Sequence, residues 1–371
     1  MHFGLIIYGS LSTLSGGYLY DRLLVRHLET HGHRVTVVSL PWRNYLRHLG
    51  DNLNPRVLHR LRDPGVDLWI QDELNHPSFF LLNRRLREAS PAPIVSLVHH
   101  LRSDERHPRP LLSLYRAVER AYLRSVDAFI FNSRTTQAAV ASLRGEPLPP
   151  HIVAYPGGDR LHPHAEAAFI RSRAHEPGPL RVLFLGNLIP RKGLHVLLQA
   201  LARLRPAEAV LDVVGGETFA PAYARRMRRL AQEPALRGRV RFHGRQDDEP
   251  LRRLLRQAQV LAVPSQYEGF GIVYLEGMGF GLPVLAGERG AAWEFVTPGE
   301  NGFLLPAADD TAVAQLATHL RHLHRHRDAL AAMGLAARRR YEQHPTWEES
   351  LARIGGFLEG LHREATPAIF P

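Results

Sequence analysis

The stretch "QVLAVPSQYEGFGIVYLEGMGFGLPVLAG", residues 259–287, decides how the rest of the chain is read. It opens on an apolar run, 259–265, of the length of a buried strand. A loop holding Glu268, Gly269, Phe270 and Gly271 follows. A helix begins near Ile272 and carries Glu276 in its first turns; the exit "GLPVLAG" runs straight into another apolar strand. Strand, glycine loop, helix and strand in that order are the repeating unit of a parallel sheet. The loop glycines let the backbone approach a ligand closely. The first amides of the helix have no intrahelical partner and favour a phosphate. Glu268 and Glu276 stand eight residues apart, one before the helix and one inside it. They reach different parts of an extended ligand and suit the hydroxyls of a sugar and a ribose. Complementing the helix dipole is the simpler role for two acids, but it leaves the glycine loop unexplained.

The same alternation runs outward in both directions. Toward the N-terminus, strands are expected at 2–9, 34–40, 66–71, 93–99, 127–133 and 151–156. Between the first two, "GYLYDRLLVRHLETHG" (17–32) places Leu19, Leu23, Leu24 and Leu28 on one helical stripe, with Gly32 past its end. Residues 160–179 break the pattern with His, Pro and Gly and read as a connection between domains. The alternation then restarts with strands at 180–187, 209–216, 239–244, 259–265 and 283–287, and helices at 192–204, 221–232, 249–257 and 272–280. From 308 onward the chain reads as helical. The expected fold is therefore α/β: two Rossmann-like doubly wound parallel-sheet domains facing across a cleft. Their expected bounds are 1–165 and 175–345, with a C-terminal helix in 346–371 packing back on the first. Such sheets bind ligands beyond the carboxyl ends of their strands.

Bulk composition narrows the function. Among 371 residues there is no cysteine, which excludes disulfides, thiolate metal sites and a cysteine nucleophile. No apolar run approaches the roughly 20 residues of a membrane helix. "MHFGLIIYGSLS" lacks a basic region before its apolar run and reads as a first strand rather than a signal peptide. The net charge of +11 suits an anionic substrate or an anionic membrane face. Nucleic acid is disfavoured, because the basic residues are spread along the chain with no aromatic–basic platform. Of the 47 basic residues only Lys192, in "GNLIPRKGLHVLLQAL" (186–201), is a lysine.

Taken together these motifs resemble the group 1 (family 4) retaining glycosyltransferases of the GT-B fold, over nearly the whole chain. The resemblance rests on Glu-Gly-Phe-Gly, a second Glu eight residues after the first, and Gly-x-Pro-Val. It also rests on the Gly16–Gly17 loop, "HGHRVTVV" (31–38), "VHH" (98–100), "YPGGD" (155–159), "FLGNLIPRKG" (184–193) and "VTPGENGFLLP" (296–306). It implies that Lys192 neutralises a diphosphate and that Glu268 contacts the transferred sugar. Gly269, Phe270, Gly271 and Ile272 would meet sugar and phosphates through their amides, and Glu276 would hold the ribose. Gly16 and Gly17 would close on phosphates and acceptor, His99 would meet the sugar, and Gly215, Gly216, Gly244 and Arg245 would flank the base.

Two positions depart from the pattern. Asn187 stands where the family has an arginine, which leaves Arg191 as the neighbouring candidate for a second cation. Arg289 precedes Gly290 where a Gly-Gly pair is usual. Other clusters read blandly. His322, His324 and His326 are spaced by two and read as a solvated face. "QDDE" (246–249) reads as a helix cap. The segment 42–62 mixes aromatic, leucine and arginine, fitting either contact with anionic lipid or a surface helix interrupted at Pro55.

The resemblance implies sugar transfer from a nucleotide diphosphate sugar to a hydroxyl acceptor (a glycan, a lipid-linked molecule or a small molecule). It further implies a retaining hexosyltransferase that is metal-independent and needs no cofactor. The implied location is cytoplasmic or peripheral on the inner membrane face. Domain closure would exclude water. A dinucleotide oxidoreductase is disfavoured, because "GSLSTLSGG" follows the first strand in place of Gly-x-Gly-x-x-Gly. A pyridoxal-phosphate phosphorylase shares the plan but is disfavoured in this size class. A non-catalytic nucleotide-sugar-binding protein of the same fold is the alternative.

Overall fold

The computed structural model describes residues 1–13, 15–61, 65–105, 107–306 and 309–365. The chain divides into two units. One is Met1–Pro156 with the helix Trp347–Ala365, and the other is Gly157–Thr346.

The first unit holds a six-stranded sheet of β1 (His2–Tyr8), β2 (Arg34–Leu40), β3 (Leu68–Asp72), β4 (Ile94–Val98), β5 (Ala128–Phe131) and β6 (His151–Val153). Their order is β2-β1-β3-β4-β5-β6 and every pair is parallel. β1, β3, β4 and β5 are buried along their whole length, while the edge strands β2 and β6 carry exposed positions. Continuous apolar strands are what a sheet covered on both faces requires. Ile6, Trp69, Ile94, Phe129 and Phe131 stand in one core cluster with Phe79, Leu82 and Tyr122 of the covering helices. Burying each such side chain contributes about 1.5–3 kcal/mol. The direction of strand succession reverses between β1 and β3, which makes a crevice at their carboxyl ends.

The second unit repeats the plan with β7 (Leu180–Leu185), β8 (Ala209–Val214), β9 (Val240–Gly244), β10 (Val260–Val263), β11 (Val284–Gly287) and β12 (Gly302–Leu305). The order is β12-β11-β10-β7-β8-β9, again all parallel. Here the reversal falls between β7 and β10. The loops that leave those two strands carry Lys192 and Glu268.

Several elements differ from expectation. β12 lies within "VTPGENGFLLP", which reads as a turn because Pro and Gly crowd its short apolar run. The connection 160–179 contains the helix Ala167–Ala174. Its Ile170 and Ala174 are buried, and Arg173 donates to the Gly281 carbonyl at 2.8 Å. So short a stripe, flanked by Pro and Gly, is not visible as a period. The helix expected from 192 starts at Leu194, and Lys192 closes a 3-10 turn, Pro190–Lys192. Segment 42–62 forms two helices, Tyr45–Asp51 and Pro55–Arg60, with Pro55 opening the second as its ring permits. Arg62, the start of the tail at 308 and the last residues of 346–371 lie outside the described residues.

Candidate active site

In the second unit the loops leaving β7 and β10 meet at an ion pair. Lys192 Nζ donates to Glu268 Oε2 at 2.6 Å, and Ser265 Oγ donates to the same oxygen at 3.1 Å. Arg191 donates from Nη1 to the Tyr267 carbonyl at 2.7 Å and stands 3.8 Å from Glu268 Oε2. Both partners of the lysine pair are 13% exposed in their side chains. Burial pushes the Glu268 carboxyl up, but Lys192 and Arg191 outweigh it and hold it below its ordinary value. Burial draws the Lys192 ammonium down, with Glu268 opposing. The outcome is a fixed carboxylate between two cations.

The backbone around the pair is built for close approach. Gly193 has φ +74, and a Cβ there would lie 2.0 Å from the Pro264 carbonyl oxygen. Only glycine combines that conformation with that contact, and it brings the Lys192 turn against the end of β10. Gly290, φ +104, sits the same way against the Glu268 carbonyl, and the Ala291 amide donates to that carbonyl at 3.0 Å. This accounts for the glycine of the Arg289–Gly290 pair; Arg289 itself is exposed.

Gly271, φ +96, precedes the helix Ile272–Gly279, whose start has no side-chain cap. In the first turn the Tyr274 amide donates to the Gly271 carbonyl at 2.9 Å, and the amides before it have no intrahelical acceptor. Phe270 is buried, its ring 5.2 Å from Phe295 and 5.8 Å from His344, so only its backbone serves the loop. Gly215 packs on the Gly186 carbonyl, and the Leu188 amide donates to the Gly216 carbonyl at 2.8 Å. These contacts hold Asn187 beside Gly216. Gly244 leaves open space where a Cβ would stand, and Arg245 is exposed.

Glu276 is buried, and Arg160 Nε donates to its Oε1 at 3.0 Å. Arg160 also pairs with Asp248. Burial raises the Glu276 carboxyl, with Arg160 pulling against it. Asp248 thus serves an ion pair, and Asp247 stands at the helix start without a side-chain cap bond, a correction to the simple cap read in "QDDE". Arg160 was missed because it falls in the apparent connection. Its signal is its place directly after "YPGGD", whose Gly158 packs against Leu275 of the helix that carries Glu276.

In the first unit His99 follows β4 and its Nε2 donates to Asp21 Oδ1 at 3.2 Å. Asn132 Nδ2 donates to the His99 carbonyl at 2.8 Å, and Tyr20 meets the imidazole edge-on at 5.5 Å. A Cβ on Gly17 would stand 3.1 Å from His99 Cδ2; the expected Gly16–Gly17 loop is instead the first turn of the helix Gly16–Thr30, capped by Ser15, and that turn lies directly against the ring. Burial lowers the imidazole pKa, but the bond and charge of Asp21, with Asp72 and Glu73, bring it above its ordinary value. His100 pairs with Glu105 at 3.3 Å. Asp21 and Asp72 were missed. An acid on the stripe of Leu24 and Leu28, three and seven residues on, was the available signal.

Among other clusters, His27, His31 and Glu348 offer three ligand atoms within 4.8 Å of one another, two of the residues being exposed. His322 and His326 are four apart and their rings lie 4.6 Å from each other. The reading of 322–326 by spacings of two overlooked that pair.

The family model for "Glycosyl transferases group 1" matches residues 166–340. A "GDP-mannose-dependent alpha-(1-6)-phosphatidylinositol monomannoside mannosyltransferase" from Mycolicibacterium smegmatis is 32% identical over 277 residues, covering 70% of this chain and 68% of that protein. "D-rhamnosyltransferase WbpZ" of Pseudomonas aeruginosa is 31% identical, covering 68% and 67%. A mannosyltransferase of the first kind from Mycobacterium tuberculosis is 32% identical, covering 67% of this chain and 66% of its own length. These matches thus span about two thirds of the relatives' own length. Among solved structures, "Sucrose-phosphate synthase (tll1590) from Thermosynechococcus elongatus" superposes with a TM-score of 0.81 at 23% identity, covering 98% of this chain and 99% of that one. WaaG, described as "a glycosyltransferase involved in lipopolysaccharide biosynthesis", gives 0.71 at 17%, covering 99% and 100%. The two six-stranded parallel sheets flanked by helices match these neighbours. The chain belongs to the glycosyl transferases of group 1.

Proposed function

We propose that this chain moves a hexose from a nucleoside diphosphate sugar to a hydroxyl acceptor, with retention at the anomeric carbon and without a metal. The observation that carries the reading is the Lys192–Glu268 pair at 2.6 Å, set at the β7/β10 reversal beside an uncapped helix start. An ammonium has three donors. Lys192 can bond Glu268 and still present N–H to phosphate oxygens. Arg191, on the same carboxylate, supplies the second cation that Asn187 does not.

In the reaction the bond between the sugar's anomeric carbon and the β-phosphate oxygen breaks, and negative charge grows on the phosphate. In this reading Lys192, Arg191 and the helix amides stabilise that charge, the point at which electrostatic stabilisation is most effective. Ionised Glu268 accepts from sugar hydroxyls, and Glu276 from the ribose. The acceptor oxygen bonds the same face of the anomeric carbon, and its proton passes to the departing phosphate oxygen. The names of the M. smegmatis and M. tuberculosis relatives support GDP-mannose as the first donor to try. Another solved neighbour, Anabaena Alr3699/HepE (TM-score 0.74 at 21% identity, covering 97% of this chain and 100% of that one), is described as a complex with UDP and glucose.

No described helix is long and apolar enough to cross a membrane. Trp42, Leu46 and Leu53 are exposed at 56%, 69% and 71%, among Arg43, Arg47 and Arg56. These exposed apolar and basic side chains support peripheral contact with an anionic bilayer on the cytoplasmic side. Sedimentation with phosphatidylglycerol vesicles but not phosphatidylcholine vesicles is the expected result, lost in Trp42→Ala/Leu46→Ala.

Thermal-shift screening with UDP, GDP, ADP and their sugars tests the central reading. A nucleotide diphosphate should raise the melting temperature, and Lys192→Ala should abolish the shift. A donor that binds wild-type protein yet is never consumed, alone or with acceptors, identifies a binding protein instead. No shift with any nucleotide would refute nucleotide-sugar binding itself.

A further inference from the structure

Under His99 lie two carboxylates that the proposed reaction does not yet use. Asp21, from the helix Gly16–Thr30, is 0% exposed, and Asp72, the last residue of β3, is 1% exposed. One oxygen of each and a ring nitrogen of His99 lie within 4.8 Å of one another. Asp21 Oδ1 meets His99 Nε2, and Asp72 Oδ1 accepts from the Leu74 amide at 2.9 Å. The second oxygen of each, Asp21 Oδ2 and Asp72 Oδ2, is buried without a hydrogen-bond partner among the described residues. Two carboxylates this close and this dry do not both ionise. The imidazole at hydrogen-bond distance belongs to Asp21, which therefore keeps the charge.

We propose that Asp72 stands as a neutral acid and that Asp21, left as the sole anion against the ring, holds His99 as an imidazolium. Both act as positioning residues. The distinction matters because Nε2–H is committed to Asp21, so Nδ1 is the remaining ring nitrogen. In neutral His99 with that bond, Nδ1 is an acceptor; in the imidazolium it is a donor. The acid pair thus decides whether the ring offers a ligand hydroxyl oxygen a donor. That last role rests on the sugar-transfer reading; the protonation states do not.

The surroundings agree. Burial and the Asp21 charge push the Asp72 carboxyl up to about 8, with His99 opposing. The other titratable groups facing the cluster are Glu73, pushed by burial to about 7, and Tyr18, whose phenol burial and the Asp72 and Asp21 charges raise. Tyr20 stacks edge-on against the ring, and His100 and Arg102 act on Glu73.

Full-length protein labelled with ¹⁵N-histidine tests this without any donor. His99 is assigned through His99→Gln, and its ring nitrogens are followed as pH is raised from neutral. In the wild type both nitrogens should carry protons at neutral pH. Asp72→Asn, which has the shape of the neutral acid, should lower the His99 midpoint much less than Asp21→Asn does, by only the small part that Asp72 contributes once it ionises. Asp21→Asn should lower it by a unit or more, a roughly tenfold drop in imidazolium relative to neutral ring. Glu73→Gln serves as a control and should leave the contrast between the two in place. The proposal is overturned if Asp72→Asn lowers the midpoint as far as Asp21→Asn, or if wild-type His99 is neutral at neutral pH. Should Asp21→Asn fail to fold, a fall of a unit or more in Asp72→Asn against wild type overturns the proposal by itself. Loss of nucleotide binding would overturn the sugar-transfer reading and leave this result standing.

Discussion

Lys192 shows what a single side chain is asked to do. Its methylenes run beside Gly186, where a Cβ would stand 3.6 Å away, and its ammonium ends on Glu268. Arginine would bring a planar fork matched to one fixed geometry, where a diphosphate needs a compact charge that turns among several oxygens. Lys192→Arg, although it keeps the charge, should lower kcat by about 10²–10³, the usual cost of losing one preorganised donor. Steady-state turnover of the preferred donor measures it, and near-wild-type kcat would return this lysine to chance. A lone lysine in an arginine-rich chain was legible from the sequence. Its carboxylate partner was not, because Glu268 lies 76 residues away and nothing in the spacing links them. Asp21 was hidden for a related reason: a polar residue among leucines reads as an imperfection of the stripe until His99 is placed beside it.

At the scale of the element, backbone turns set the geometry of the site. Gly193→Ala would need a left-handed backbone, costing about 1–2 kcal/mol, and would press against the Pro264 carbonyl. Its urea midpoint should fall, and donor KM should rise with it, since the same turn carries Lys192. Arg160 makes the corresponding point for the helix that holds Glu276. Arg160→Ala leaves a buried acid without its cation, and such removals typically cost about 1–3 kcal/mol or more. Nucleotide affinity, read by calorimetry, should weaken in parallel. Long helices were legible because twelve or so residues show their period, and most strands because each is a short continuous apolar run between turn residues. The helix Ala167–Ala174 and β12 were not, since both take their stability from neighbours: Ile170 against Gly281 and Gly334, and Gly302 against Val284. The glycine loop at 268–271 was legible because a tight approach leaves its mark in residue type.

Across the whole molecule, buried acids tie stability to pH. Asp72 is pushed to about 8 and Glu73 and Glu119 to about 7, burial being the first cause for each. A raised carboxyl keeps its proton in the folded chain and releases it in the unfolded one. The stabilisation is complete below the unfolded value and is lost as pH climbs through the folded value. The urea midpoint should therefore fall between about pH 5, just above the unfolded carboxyl range, and about pH 8, and Asp72→Asn should shrink that drop. An equal drop in the variant would mean that Asp72 is already ionised at the lower pH. The path of the chain carries its own consequence. The first unit is left at Pro156 and joined again only by the helix from Trp347, whose indole meets Tyr20 edge-on at 5.3 Å. A ribosome therefore releases every residue of Gly157–Thr346 before the last piece of the earlier unit exists. Gly157–Thr346 is one unbroken segment and can mature during synthesis, whereas the unit begun first must wait, its first helix uncovered, until Trp347–Ala365 has been made.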